Sequence, residues 1–160
     1  MPWLLATTRP PTDTPTGSAL PYLRFQGGAM SATAANGWVE AFRRATDNDP
    51  EIQAHGKYFT CAYLLDMEAH RYLVQVNGGK VDEILVDPGP LDRRYQFALR
   101  ASADTWRKMA EKVPEPMYHG IWAASFQRDL RLEGDLLVLM QNLRCLTRQI
   151  ELLRTTGAPV

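Results

Sequence analysis

Cysteine is scarce in this chain of 160 residues, and its two cysteines, Cys61 and Cys145, lie far apart among apolar neighbours. Each reads as a small buried hydrophobe, not as half of a disulfide framework. There is no Cys-x-x-Cys, no His-x-x-x-His and no clustered carboxylate loop, so a structural metal has no ligand set to start from. Neither sign of charge dominates, since 18 Lys and Arg face 18 Asp and Glu. That balance argues against a phosphate-gripping nucleic-acid surface and against an electrostatic hold on anionic membranes. No apolar run approaches the roughly 20 residues that cross a bilayer. The start, Met1 to Ala6, has neither the basic residues nor the length of a secretory signal. The expectation is a cytoplasmic protein that binds no nucleic acid and carries no integral membrane segment.

What is present is an ordinary globular composition, 45% apolar and 22% charged, with enough chain for one core. Residues 1–35 differ from the rest. Pro2, Pro10, Pro11, Pro15 and Pro21 are mixed with Thr, Ser, Gly and Ala without a period, which suits a flexible arm. A single domain is expected over 36–160. From Gly37 a helical period places Trp38, Ala41, Phe42 and Ala45 on one face. Asp49-Pro50-Glu51 opens a second, short helix, because Asp can cap and Pro suits the first helical position.

Strands follow. Phe59, Cys61, Tyr63 and Leu65 alternate with their neighbours, as do Tyr72, Val74 and Val76. Asn77-Gly78-Gly79 is the strongest hairpin signal, since these residues tolerate the positive φ of tight turns. The return strand Lys80 to Val86 stops at Asp87-Pro88-Gly89-Pro90. A fourth strand is expected over Tyr95 to Ala101, with Tyr95, Phe97 and Leu99 on one face. Ser102 or Asp104 can cap a helix that carries Trp106 and Met109. A further helix is expected from Pro116 through Phe126, then a short strand at Leu130 to Glu133. A last helix runs from its cap, Asp135, to about Arg154. The order predicts an α+β domain with helices gathered on one face of a mostly antiparallel sheet.

Catalytic signals are thin. His119 sits between Tyr118 and Gly120, and Asp129 is the nearest later carboxylate, but no spacing brings the two together. His119 and Tyr118 are weak catalytic candidates only. Ser102 and Ser125 lack a nucleophile elbow. Glu133 and Asp135 read as a helix start with favourable charge. The more telling feature is Leu136-Leu137-Val138-Leu139-Met140, an apolar run directly after Gly134-Asp135. Full burial of such side chains is worth about 1.5–3 kcal/mol each, so core, partner chain or ligand is expected to cover them.

Taken together, these stretches resemble the SCP2 (sterol carrier protein 2) family. The resemblance rests on Asp47-Asn48-Asp49-Pro50-Glu51, on Gly56-Lys57-Tyr58-Phe59 entering the meander, and on Asn77-Gly78-Gly79-Lys80-Val81 at its turn. It continues in the strand and Trp-bearing helix from Tyr95 to Trp106, and in the closure Leu130-Arg131-Leu132-Glu133-Gly134-Asp135. It implies a five-stranded sheet with helices on one side, enclosing an apolar tunnel for a sterol, fatty acid or acyl ester that is transferred, sequestered or presented. The resemblance implies no cofactor, and no catalytic motif comes with it. The chain ends in Ala158-Pro159-Val160, which is no peroxisomal address of the Ser-Lys-Leu type.

From position, the wall of such a tunnel would comprise Phe97, Leu99, Trp106, Met109, Met117, Tyr118 and Ile121. Trp122, Phe126, Leu136, Leu139, Met140 and Leu143 would complete it. Tyr118, His119 and Arg100 are candidate polar anchors for a head group. Two other readings stay open. The same cavity could shelter a substrate of a small cyclase or isomerase, or the last helix could form a homodimer seam or dock a partner enzyme.

Overall fold

Asn77 and two glycines turn the chain back on itself, and the sheet grows from that hairpin. The computed structural model describes residues 28–160, with side chains from Ala35 onward. Most of the arm expected over 1–35 lies outside them. Helix α1 (Gly28–Asp47) begins well before Gly37, where the apolar period first shows. Helix α2 (Pro50–His55) follows as expected, capped by Asp49, whose Oδ1 accepts from the backbone N–H groups of Glu51 and Ile52 at 3.1 and 3.0 Å.

Strands β1 (Cys61–Asp66), β2 (Arg71–Asn77) and β3 (Lys80–Val86) form the antiparallel meander. Gly78 and Gly79 take φ of +57° and +80°, the pair of positive values that a two-residue hairpin turn needs. The sheet order is β3-β2-β1-β4-β5. Strand β4 (Phe97–Arg100) therefore does not continue the meander but pairs parallel to β1 at the other side of the hairpin. It is also shorter than expected. Tyr95 lies in the preceding connection and not on the face of Phe97 and Leu99. Strand β5 (Arg131–Gly134) completes the sheet antiparallel to β4.

The two sheet faces differ. Tyr63, Leu65, Tyr72, Val74, Val76, Phe97 and Leu99 point into the main core, where the buried residues of the helices also gather. Leu64, Leu73 and Ala98 form a small separate cluster on the opposite face, which no described helix covers. This is the expected α+β arrangement, a mostly antiparallel sheet with helices on one side.

The remaining helices are α3 (Ala103–Met109), α4 (Ile121–Gln127), α5 (Leu136–Gln141), α6 (Leu143–Glu151) and α7 (Leu153–Thr156). Ser102 caps α3, accepting from Thr105 N–H at 3.4 Å. Two expectations need correction. The helix expected from Pro116 begins only at Ile121, because Met117 adopts φ of +74° and breaks any helical path through 116–120. The long last helix is three short ones. At Asn142 the side-chain Nδ2 donates to the Val138 carbonyl at 2.8 Å, a local bond that competes with a continuous helix.

A buried polar chain ties the layers together. Tyr63 Oη donates to Gln149 Oε1 at 2.7 Å, and Gln149 Nε2 donates to Thr46 Oγ1 at 3.3 Å. It joins β1, α6 and α1. Each partner is satisfied by the other, so burial carries no penalty for an unmade bond. Among the described residues, Cys61 and Cys145 are both buried and free.

Candidate functional site

The closure of the sheet sets the geometry of the candidate site. Gly134 ends β5 with φ of +93°, and a Cβ there would stand 2.5 Å from the carbonyl oxygen of Gln96. Only glycine fits this close approach. The next residue, Asp135, donates its N–H to the same carbonyl at 2.8 Å. Its side chain then caps α5, with Oδ1 accepting from Leu137 and Val138 N–H at 3.0 and 3.1 Å. The Gly-Asp pair thus pins the start of α5 against β4, beside Phe97.

From that start, α5 points its residues in two directions. Leu139 is fully buried and Val138 packs partly on the core. Leu136, Leu137 and Met140 remain 47%, 67% and 52% exposed. These three fall within about 100° of the helix circumference, with Leu137 nearly opposite Leu139 and Leu136 beside it. The run expected to be covered all round is covered on one side only.

Helix α4 shows the same division. Ile121 and Ala124 are buried, whereas Phe126 is 75% exposed and stacks on the half-buried Trp122, ring centroids 5.8 Å apart. Trp122 and Leu143 pack against the main core. The apolar side chains that α4 and α5 leave to solvent therefore border core residues directly.

The candidate tunnel wall divides accordingly. Phe97, Leu99, Trp106, Met109, Tyr118, Ile121 and Leu139 are buried in the main core. Met117, Phe126, Leu136 and Met140 are exposed, and Trp122 and Leu143 lie between. Leu137 belongs with the exposed set and was missed. Spacing alone does not single it out, since Leu136 shares a helical face with Leu139 and Leu143, three and seven residues on.

The candidate polar anchors do not converge. Arg100 projects away from the Phe97 and Leu99 face, held by Asp66 at 2.6 Å and Glu133 at 2.7 Å. The Tyr118 ring lies between two cations, with Lys108 Nζ 5.1 Å and the Arg128 guanidinium 4.7 Å from its centroid. His119 is exposed, and its carbonyl accepts from Arg154 at 2.9 Å. Asp129 is engaged elsewhere. It accepts from Ser102 N–H at 2.9 Å and from the Thr105 hydroxyl, at the start of α3. Burial raises the Asp129 carboxyl, but these hydrogen bonds outweigh it and hold the group below its ordinary value. It serves as a structural clamp and not as the partner of His119.

The thiols are equally quiet. Burial, reinforced by Cys145, pushes the Cys61 thiol up to about 12, and burial raises Cys145 too. Neither has the lowered value of a nucleophile. No described helix is long and apolar enough to cross a membrane.

No protein-family model and no curated protein matches the sequence. Solved structures do. The chain is similar to a crystal structure of sterol carrier protein 2, with a TM-score of 0.59 and 16% identity, covering 73% of this chain and 93% of that one. It is also similar to the solution structure of a Thermus thermophilus protein described as possibly a sterol carrier protein. That match has a TM-score of 0.56 and 14% identity, over 76% of this chain and 87% of the other. The chain has the SCP2 fold, as the order of its motifs implied.

Proposed function

We propose that this protein binds a hydrophobic small molecule of the lipid class, a sterol, fatty acid or acyl ester, for transfer, sequestration or presentation. The ligand would lie between the sheet face of Phe97 and Leu99 and the helices carrying Trp106, Trp122 and Met140. The observation that carries this reading is the apolar surface of α4 and α5. Leu136, Leu137, Met140 and Phe126 are exposed, yet they sit on helices whose other faces are built into the core. A ligand inserted beside α5 would cover them and gain apolar burial at about 25 cal/mol per Å². The SCP2 fold supports the same reading. A short helix such as α5, bounded by Gly134 and Asn142, can shift without unravelling a long one. Free, buried cysteines fit a cytoplasmic setting.

The test is binding of a fluorescent fatty acid and of a fluorescent sterol, with native mass spectrometry of protein purified without detergent. Saturable binding is expected, reduced about tenfold or more in Leu137→Asp, because a charge at that face opposes an apolar ligand. Bare chain mass with no binding of either probe would sink the reading. The same α5 face would serve a homodimer, and sedimentation at high concentration separates that reading: a monomer that binds the probe excludes the dimer seam. An isomerase or cyclase acting through His119 and Tyr118 predicts turnover lost in His119→Ala. The distance of Asp129 from that role weakens it.

A further inference from the structure

The connection from β3 to β4 builds a cavity on the sheet face that the described helices leave bare. Because β4 pairs with β1, residues 87–96 must pass from the β3 edge across β2 and β1. Both ends of this strap are fastened. At its start Asp87 N–H donates to the Arg71 carbonyl at 2.7 Å, and the Asp87 carboxylate accepts from Arg71 N–H at 2.8 Å. Its other oxygen lies 2.8 Å from His70 Nδ1. At the far end, Gln96 N–H donates to the Ala62 carbonyl at 2.8 Å and Gln96 Oε1 accepts from Ala62 N–H at 2.9 Å. In between, Asp92 accepts from Gly89 N–H at 2.6 Å, and Pro88 and Pro90 stiffen the turn.

Beneath the strap lies a cavity of about 480 Å³, within the range of small-molecule sites. Leu64 and Leu73 line it from the sheet, and they belong to the small apolar cluster of that face. Arg71, Arg93 and Arg100 also line it, against Asp87 as the one acidic lining residue. These charges are not equivalent. Arg100 is already matched by Asp66 and Glu133, and the Asp87 oxygens face His70 and the Arg71 N–H. Arg93 holds Glu83 at 3.4 Å with both side chains well exposed, a weak pair that can yield to a better partner. The Arg71 guanidinium forms no hydrogen bond or ion pair with a described residue and acts on Asp87 only through space. The turn of the strap from Pro88 to Pro90 offers an anion no free backbone N–H. Pro88 and Pro90 lack an N–H, and that of Gly89 is taken by Asp92.

We propose that this cavity is a binding site for a small anionic amphiphile, a carboxylate or phosphate on a short apolar body. The head group would rest on Arg71 and Arg93 and the body over Leu64 and Leu73. A planar guanidinium presents paired donors that match either oxyanion. The site is on the opposite sheet face from the lipid-binding region proposed above and does not rest on that reading.

The experiment is a titration of the full, ¹⁵N-labelled chain, followed by backbone amide shifts, with octanoate, octyl phosphate, octanol and inorganic phosphate in turn. Octanoate, octyl phosphate or both are expected to move Leu64, Arg71 and Leu73, and the tighter of the two identifies the head group. Octanol and inorganic phosphate are expected to bind at least about tenfold more weakly, since each lacks one half of the recognition. Arg71→Met is expected to weaken the anionic probe about tenfold or more. Arg93→Gln, at an exposed rim position, gives a smaller loss and serves should Arg71→Met fail to fold. Octanol binding as well as octanoate would overturn the anionic requirement, and inorganic phosphate binding as well as octyl phosphate would overturn the apolar one. Shifts confined to α4 and α5, or unchanged affinity in both arginine variants, would overturn the site. Leu137→Asp leaves the strap shifts in place, so failure of the lipid reading is distinguishable from failure here.

Discussion

Helices α5 and α6 are separated by Asn142 alone and are both rich in leucine, yet they place those residues in opposite ways. Helix α6 buries Cys145, Leu146, Gln149 and Ile150 against α2 and the sheet core. Helix α5 buries Leu139 and leaves Leu136, Leu137 and Met140 facing out. Hydrophobicity alone would bury α5 the more deeply, since α6 also carries Arg144, Arg148 and Glu151. Position decides otherwise, because α6 crosses the middle of the core whereas α5 starts at the last strand, pinned at one end by Gly134 and Asp135. An apolar run at such an edge is half core and half free surface, and the free half is what a ligand can use.

The sharpest way to break this contrast is to truncate the α6 side. Leu146→Ala is expected to cost about 2–5 kcal/mol, read from urea unfolding, because its site is fully enclosed. A cost near zero would mean that α6 is no more committed to the core than α5.

Next comes the hinge between sheet and α5. Gly134→Ala is expected to cost about 1–3 kcal/mol, through the positive φ and the approach to Gln96. Thermal unfolding and the amide signals of α5 would report it. Unchanged values in both would show that α5 is not held by this junction.

Asp49→Asn probes the anchor of α6 from outside, with an expected cost of about 1–3 kcal/mol. Asp49 Oδ2 accepts from Arg148 Nη2 at 2.8 Å and from Nε at 3.0 Å. The hydrogen bond from Arg148 chiefly holds this carboxyl below its ordinary 3.8, against the opposing effect of burial. The unfolded chain therefore binds the proton more readily in that window. This contribution is fully present above the unfolded value and is lost as pH falls through the folded one. Acid titration of stability in Asp49→Asn should show a shallower fall than in the parent. An identical acid limb would remove the pair from the account.

The smallest effect is expected on α5 itself. Leu137→Ala should change stability by no more than about 0.5 kcal/mol, as for an ordinary exposed position. A loss comparable with Leu146→Ala would show that the α5 face is covered in solution, by a ligand or a second copy.

Local chemistry was legible from residue types. Asp49 and Asp135 cap the helices they were expected to cap, Ser102 and not Asp104 caps α3, and Asn77-Gly78-Gly79 makes its hairpin. The alternation put Tyr63 with Leu65, and Tyr72 with Val74 and Val76, on shared strand faces, and the fold turns those faces to the core. Signals of this kind act within a few residues of the chain. What escaped depends on partners far along it. Asp129 pairs with Ser102 and Thr105 instead of His119, Gln149 joins Tyr63 to Thr46, and Asn142 interrupts the last helix. No spacing rule carries those pairings.

By itself, then, the amino-acid order determined the succession of helical and strand segments, the caps and the hairpin turn, which strand residues share a face, and that an apolar run follows a Gly-Asp closure. These follow from dihedral preference, capping and side-chain period, all local properties. Tertiary structure alone decided that β4 lies parallel to β1, that residues 87–96 bridge the bare face of the sheet, and that Leu136, Leu137 and Met140 stay in contact with water. Each of these is set by which surfaces remain after the sheet has closed, and a surface left over belongs to the whole fold and to no segment of it.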